Sequence, residues 1–295
     1  MKKAQPILCA GFSNVSYNDE VFDLGHGISL RSVYAHLFAA QMIAFAKASP
    51  GKAHPAPWRA ARGGFNYDIE VEIAVPATKK LPGALTPEDT VWLIAALLRL
   101  ANYPYLIVPV FSDHAFDEAA TSSQQPLLRP FETQPRILSA RAATEGVITL
   151  GDLEWVKSVW PRTAELLDRN ISFNMALRAA DACTVRGRSA SALLMAWGAL
   201  EELFAPAPAE LRFRVSAYIA SYLEPIGPKR LALFKSLASL YNERSKAAHS
   251  VGETETGVLL QTFVILRNAL VRIIDEGVVP TQADIEKLLF CGDGN

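Results

Sequence analysis

The first half of the chain contains both strand-like and helix-like patterns of hydrophobic residues. From Ile69 to Val75, apolar residues alternate with charged or small ones, which is the period-2 pattern of a half-buried strand. Residues 105–111 are rich in β-branched and aromatic side chains and predict a second strand. Between them, Thr86 and Pro87 supply an N-cap and a first helical residue, so a helix is expected from there to about Ala101. The first half is therefore expected to mix α and β structure.

Three other stretches of the first half have weaker patterns. Residues 29–48 predict another helix, closed by the breaker Ser49-Pro50-Gly51. Residues 58–65 mix aromatic and basic side chains that could contact RNA, although a solvated loop is the favoured interpretation. Residues 112–147 show no strong period, which predicts loops around a short strand.

From Thr149 onwards the pattern becomes helical. The predicted helices are 152–168, 172–187, 190–204, 209–223, 228–249, 256–276 and 282–290. Pro161 is expected to kink or divide the first of them. The helix at 256–276 is apolar nearly all round, which predicts a central position. A run of helices with short connections around one central member predicts a helical bundle.

These patterns predict an α+β protein with two domains. Residues 1–148 are expected to form a mixed α/β domain, and residues 149–295 an all-α helical bundle. The helices of the second half carry their own caps, such as Thr281 with Asp284 three residues on. We therefore expect residues 150–295 to fold alone.

The amino-acid composition is that of a globular protein. Half of the 295 residues are hydrophobic and 20% are charged, which suits a globular protein with a sizeable core. The formal net charge is −1, so bulk electrostatics indicate neither a nucleic acid nor an acidic membrane as partner. Any contact with nucleic acid must therefore come from a local basic patch.

Cysteines and hydropathy favour a cytoplasmic protein. Cys9, Cys183 and Cys291 are few, odd in number and widely spaced, which argues against a disulfide framework or a zinc site. The two most apolar stretches, 91–111 and 257–274, are interrupted by charged residues or proline and do not predict membrane spans. No membrane association is expected.

One helix of the second half carries a cation where a core would place an apolar group. On a helix over 230–249, an apolar stripe is expected; its members are Phe234, Leu237, Tyr241 and Ala248. Arg244 lies in the middle of that stripe, and His249 lies at its edge, about 140° around the axis. Lys246 and Glu243 point away. A guanidinium that faces a core costs several kcal/mol unless it is paired.

Two interpretations of this pair follow from spacing. In the first, Arg244 pairs with a buried carboxylate, Glu201 or Glu224, and His249 is a helix-end residue stabilised by the helix dipole. In the second, Arg244 and His249 carry chemistry. The surrounding residues bear on this choice.

Three segments, in order, resemble the HEPN superfamily, particularly its Apea-like branch. Residues 240–250 resemble the family signature, in which a helix ends in an aromatic or aliphatic pair, then an Arg, four to six residues, and a His. Residues 199–204 resemble the family's earlier helix with its Glu, and residues 212–219 the helix between. The resemblance covers about residues 150–290. Active members often have Asn, Asp or His after the Arg; here the residue is Ser245, which can still donate and accept one hydrogen bond.

The resemblance implies a metal-independent endoribonuclease with Arg244 and His249 as catalytic residues. RNA carries its own nucleophile, the 2′-hydroxyl. A neutral histidine suits removal of its proton, and an arginine fork suits stabilisation of charge on the phosphoryl oxygens. The expected supporting residues are Ser245, Glu201, Tyr241 and Lys246. No metal or other cofactor is expected.

The expected partners follow from the same resemblance. They are RNA, a second copy bound through the C-terminal domain, and an antitoxin or regulatory protein. Family members usually pair as two-fold dimers that bring both Arg–His sets into one cleft, and Arg244 on an apolar stripe fits such an interface. The biological role would be that of a toxin or anti-phage effector, whose first domain senses a trigger, binds a partner or positions RNA.

A catalytically silent HEPN module, used for dimerisation or ligand binding, is the main alternative. Ser245, the neutral charge balance and the lack of a basic tail favour it. A separate activity in the first domain is a third interpretation. The other histidines (His26, His36, His54 and His114) lack metal-ligand spacing, and no nucleophile elbow, P-loop or HExxH motif occurs.

Overall fold

The chain folds into a sheet-rich N-terminal region followed by a helical C-terminal region, an α+β protein as predicted. The computed structural model describes residues 7–123, 125–134, 136, 146–185, 189–204, 210–249 and 255–291, and within them not the side chains of 39–41, 60–65 and 249. Two compact units form. The first comprises residues 1–78, 106–133 and 142–149, and the second residues 79–105, 134–141 and 150–295.

The first unit is built on a six-stranded antiparallel sheet. Its strands are β1 (Ile7–Ser13), β3 (Val21–Gly25), β4 (Ile28–Ala44), β5 (Trp58–Pro76), β6 (Ile107–Ser112) and β7 (Leu128–Pro130), in the order β3-β4-β5-β1-β6-β7. A parallel pair lies outside this sheet, β2 (Val15–Ser16) with β8 (Gly146–Val147). The short helix α2 (Phe116–Ala119) follows β6. The strand predicted at 69–75 is confirmed within β5, and the strand predicted at 105–111 is confirmed as β6, which begins two residues later and ends one residue later.

The helix predicted over 29–48 is wrong, because β4 occupies that stretch. The segment is rich in alanine and long apolar side chains, which favour a helix locally. The turn at Gly25, His26 and Gly27, all with positive φ, reverses the chain after β3 and sets β4 against it. Pairing with β3 and β5 then overrides local propensity. The start of β5 likewise replaces the solvated loop favoured for 58–65.

The second unit is a helical bundle. Its helices are α1 (Pro87–Ala101), α3 (Leu150–Arg169), α4 (Ile171–Ala182), α5 (Ser189–Phe204), α6 (Leu211–Leu223), α7 (Pro228–His249), α8 (Thr256–Glu276) and α9 (Gln282–Cys291). The helix α3 runs through Pro161 without being divided there. The Thr281 amide bonds the Asp284 carboxylate at 2.9 Å and the Asp284 amide bonds the Thr281 hydroxyl at 3.2 Å, so the predicted capping box is confirmed.

The central helix of the bundle is α8, as predicted. It packs against α3, α4, α5, α6 and α7. Within the described residues, α8 alone is long and apolar enough to cross a membrane, and half of that apolar window is buried inside the protein. Arg267, in its middle, donates to the carbonyls of Leu100 and Ala101 at the end of α1. These are features of a core helix.

The helix α1 belongs to the second unit, although the sequence placed it in the first domain. Thr86 caps it as predicted, its hydroxyl accepting from the Asp89 amide at 3.0 Å. Residues 90–100 are all buried, and α1 packs against α3 and α4. The bundle thus takes a helix from an earlier part of the chain, before β6.

A buried ion cluster ties this helix to α4. Asp181, on α4, accepts from Arg99 at 2.9 Å, from Trp92 at 3.0 Å and from Arg136 at 3.1 Å. The two arginine side chains are 5% and 2% exposed. Arg136 also donates to the Thr184 hydroxyl at 2.6 Å. Charges this deeply buried must be paired, so α1, α4 and residue 136 are held together.

This arrangement changes the expectation for the isolated C-terminal fragment. A fragment of residues 150–295 lacks α1, and its Asp181 lacks Arg99, Trp92 and Arg136. We now predict that it unfolds without a sharp transition, because a buried carboxylate and the apolar surface under α1 would be exposed. Circular dichroism melting of the fragment beside the full chain tests this. A cooperative melt of the fragment would show that α1 is dispensable.

Candidate active site

The helix that carries the candidate residues is α7. It begins after Gly227 and packs against α5, α6 and α8. Its buried side chains are Leu237, Leu240, Tyr241 and Ala247. Of the predicted stripe, Leu237 and Tyr241 are buried, Phe234 is half-buried and Ala248 is exposed, so Ala248 does not belong to it. Contact with α5 and α6 determines which face of α7 is buried. Ala247 is therefore buried in place of the predicted Ala248.

Arg244 pairs with Glu201 of α5. The Arg244 Nη2 atom lies 3.2 Å from Glu201 Oε1 and 3.3 Å from Oε2. The two side chains are 27% and 18% exposed, so the pair is half-buried. Glu201 is one of the two carboxylates that the sequence proposed for this role. The other, Glu224, ends α6, and its backbone carbonyl accepts from Arg230 at 2.8 Å.

Two aromatic rings complete the cluster around this ion pair. The guanidinium carbon of Arg244 lies 5.4 Å from the centre of the Tyr241 ring, within cation–π range. The Trp197 and Tyr241 rings meet edge to face, with centroids 5.1 Å apart. Burial raises the pKa of the Tyr241 hydroxyl, and the Glu201 carboxylate raises it further. Arg244 thus contacts both the Glu201 carboxylate and the Tyr241 ring.

The polar atoms of this cluster are incompletely satisfied. Among the described residues, five buried side-chain nitrogen or oxygen atoms have no hydrogen-bond partner. Three of them lie here: Trp197 Nε1, Glu201 Oε1 and Arg244 Nε. The contact between Arg244 and Glu201 Oε1 is therefore close enough for an ion pair without being aligned as a hydrogen bond. Buried polar groups are nearly always paired with protein atoms or ordered water, so these atoms can make further hydrogen bonds to water or to a ligand.

The other two supporting candidates are engaged elsewhere. The Ser245 hydroxyl donates to the Tyr241 carbonyl at 3.1 Å, a bond to its own helix. Lys246 is 71% exposed and pairs with Glu243 at 2.8 Å, so it points away as predicted. The structure thus brings Glu201 and Tyr241 to Arg244, and keeps Ser245 and Lys246 in local contacts.

His249 is the last residue of α7, and its side chain lies outside the described residues. Its backbone position places it five residues after Arg244, which is about 7.5 Å along the helix axis.

Trp197 is the member of the cluster that the sequence did not single out for the site. It was interpreted as a core residue, and its side chain is indeed fully buried. A signal existed, since Trp197 and Glu201 lie four residues apart on α5 and therefore share one face of that helix. An indole next to the candidate carboxylate places a hydrogen-bond donor at the site.

The remaining candidate residues form no second constellation in the part of the chain that the structure describes. No group of three or more His, Cys, Asp and Glu residues there is placed to hold a metal ion. His36 pairs with Asp68, and His114 with Asp113, both at 2.7 Å. Cys9 and Cys183 are buried free thiols and Cys291 is an exposed one.

Comparison with known proteins finds no match to this chain among protein-family models, curated proteins or solved structures.

Proposed function

We propose that this protein is a metal-independent endoribonuclease of HEPN type. The observation that carries the proposal is the cluster of unsatisfied polar atoms around Arg244, five residues before His249 at the end of α7. The order of the three motif segments supports it as well, since they lie on α5, α6 and α7 in the order the family uses. Arg244 is 27% exposed, so a ligand can reach its side chain from solvent.

In the proposed reaction, the RNA supplies the nucleophile. His249 accepts the proton of the 2′-hydroxyl, the 2′-oxygen bonds to phosphorus, and the bond to the 5′-oxygen breaks. The leaving 5′-oxygen takes a proton from water and His249 returns its proton to solvent, so the products carry a 2′,3′-cyclic phosphate and a 5′-hydroxyl. The Arg244 guanidinium stabilises the charge that develops on the phosphoryl oxygens.

Glu201 and Tyr241 would position Arg244 rather than react. The carboxylate and the ring hold the guanidinium in one orientation, which lowers the entropy lost when it binds a phosphate. Glu201 contacts Nη2, and the fork has five N–H donors. A phosphate can therefore be bound while the contact with Glu201 is kept.

A silent HEPN module for dimerisation or ligand binding is the second candidate. The contact with Glu201 favours it, because it compensates the charge of Arg244 within the chain's own fold. The Ser245 hydroxyl also bonds its own helix, where active members often carry a different side chain. In this candidate the Arg244–Glu201 pair is structural.

The proposed setting is the cytoplasm, with RNA, a second copy and an antitoxin or regulatory protein as partners. The protein would then serve as a toxin or an anti-phage effector. The first unit would sense a trigger, bind a partner or position RNA.

A two-fold dimer through the C-terminal domain is a prediction of the proposal. Two Arg244–His249 sets would then line one cleft. Light scattering across a concentration series should give twice the mass of one chain at tens of micromolar. A strict monomer over that range would rule out a shared cleft and leave Arg244 satisfied by Glu201 alone.

The reaction itself is tested by incubating full-length protein with unstructured RNA in excess chelator. We expect cleavage and 2′,3′-cyclic phosphate ends. RNA with methylated 2′-hydroxyls should resist, because the nucleophile is blocked. Cleavage of the methylated RNA at the same rate would contradict the proposed chemistry.

A further inference from the structure

The hairpin of β4 and β5 extends beyond the sheet of the first unit. Pairing of β3 with β4 ends at Arg31, and pairing of β1 with β5 ends at Ile69. In the described part of the chain, the strands between residues 36 and 67 pair only with each other. We call residues 36–67 the β4–β5 arm. Each of its strands is about 30 Å long at the usual rise per residue.

Large aromatic side chains along this arm are exposed. Phe38 is 76% exposed, Phe45 65% and Trp58 51%, and Tyr34 at the base of the arm is 72% exposed. Several exposed aromatic side chains on one hairpin favour a role of the arm in binding. The connection between Phe45 and Trp58 contains no large apolar residue.

The charged Lys and Arg residues of the arm are not balanced by any acidic residue. Residues 36–67 contain four Lys or Arg residues and no Asp or Glu, whereas the whole chain has a net charge of −1. Lys47, Lys52 and Arg59 are exposed. The arm is therefore a local basic patch on a chain that is acidic elsewhere.

Local contacts orient the exposed rings. The His36 and Phe38 rings meet with centroids 4.4 Å apart, as expected for alternate residues on one face of a strand. The Trp58 indole N–H donates to the carbonyls of His54 and Pro55, and His54 Nδ1 lies 2.9 Å from the Ala46 carbonyl. The Phe38 and Trp58 rings thus have contacts within the arm before any ligand binds, which reduces the entropy cost of binding.

We propose that the β4–β5 arm binds single-stranded RNA. Bases stack on the exposed rings, and Lys47, Lys52 and Arg59 contact phosphates. Duplex nucleic acid fits less well, because its bases are already stacked and offer no free faces. A second arm would bring like charges together, which disfavours self-association. A lipid surface fits poorly too, because the tip of the arm is polar and lysine-bearing.

This proposal goes beyond the proposed cleavage; its choice of RNA over single-stranded DNA rests on the proposed function, whereas the stacking of bases and the binding of phosphates do not. The test uses full-length protein and a fluorescent oligouridine whose 2′-hydroxyls are all methylated, so that cleavage cannot occur. Fluorescence anisotropy measures its Kd at several salt concentrations. A failure of catalysis by Arg244 and His249 leaves this readout unchanged.

Two paired variants test the charge and the rings separately. Lys47→Glu/Lys52→Glu should weaken binding at least about tenfold and reduce the slope of log Kd against log salt by about 1.4. Phe38→Ala/Phe45→Ala should weaken binding by about tenfold or more through lost stacking. The matched controls are Lys79→Glu/Lys80→Glu and Phe290→Ala, which change exposed residues outside the arm and should bind as the wild type.

All four variants should melt as the wild type does, because the changed side chains are exposed. The proposal is overturned if the wild type does not bind the oligouridine, or if the arm variants bind it as tightly as their controls. It is also overturned if duplex RNA or vesicles of anionic lipid bind in an arm-dependent way while the oligouridine does not.

Discussion

Replacing Asp181 by asparagine should lower the free energy of unfolding by about 3–5 kcal/mol. The substitution removes the charge that compensates Arg99 and Arg136, whose side chains are 5% and 2% exposed. Two guanidinium groups would then be buried beside one neutral amide. Urea unfolding followed by circular dichroism measures the loss.

A matched control for this substitution lies on the surface of the same bundle. Glu165 pairs with Arg169 at 3.5 Å, but both side chains are mostly exposed. Glu165→Gln should therefore change the free energy of unfolding by less than about 1 kcal/mol. Equal effects of Asp181→Asn and Glu165→Gln would mean that the buried cluster does not hold the bundle together.

The same carboxylate makes stability depend on pH in a defined direction. Burial alone would raise the pKa of Asp181, but the charges of Arg99 and Arg136 outweigh it and hold the pKa below its ordinary value. An unfolded aspartate has a pKa of about 3.9, so the stabilisation is complete above that pH and is lost as the pH falls towards the folded value. Asp181→Asn should lack this acid-dependent loss. An equally steep acid transition in the variant would assign the effect to other carboxylates.

The second large effect is expected on catalysis. His249→Ala should reduce RNA cleavage by about two to four orders of magnitude, the usual contribution of a general acid–base group. Arg244→Ala should lose a comparable amount through missing charge stabilisation. Single-turnover rates on a labelled RNA measure both. Lys235→Ala, an exposed change on the same helix, is the control and should cleave as the wild type does.

The stability of the variants distinguishes a catalytic role of Arg244 from a structural one. Arg244→Ala leaves the half-buried Glu201 carboxylate without its partner, which should cost about 1–3 kcal/mol. Both variants are therefore expected to stay folded at the assay temperature and to melt within about ten degrees of the wild type. A large loss of stability in Arg244→Ala would support the silent module, in which the ion pair is scaffold.

The helical half could be predicted closely from its sequence. The helices at 228–249 and 256–276 have the predicted bounds, because long periodic segments with clear breakers leave little freedom. The stretch at 29–48 failed because its alanine-rich sequence suits a helix, while the partners that make it a strand lie on β3 and β5. The hydrophobic pattern of one segment does not indicate the strands with which it pairs.

The polar contacts of both clusters could not be predicted from the sequence, because they join segments that lie far apart in the chain. Helical geometry led to Arg244 and to two candidate carboxylates, but only the packing of α5 on α7 selects Glu201. The cluster of Arg99, Arg136 and Asp181 joins segments far apart in sequence, so no spacing rule points to it. For the same reason α1 was placed in the first domain, although its buried face packs on α3 and α4.

Wild type, His249→Ala and Arg244→Ala are compared in one cleavage assay with excess chelator. If Arg244 and His249 catalyse the reaction, the wild type releases fragments with 2′,3′-cyclic phosphate ends, and both variants are slower by at least about two orders of magnitude. A wild type that cleaves while both variants cleave equally well would contradict it, and would place the chemistry away from Arg244 and His249.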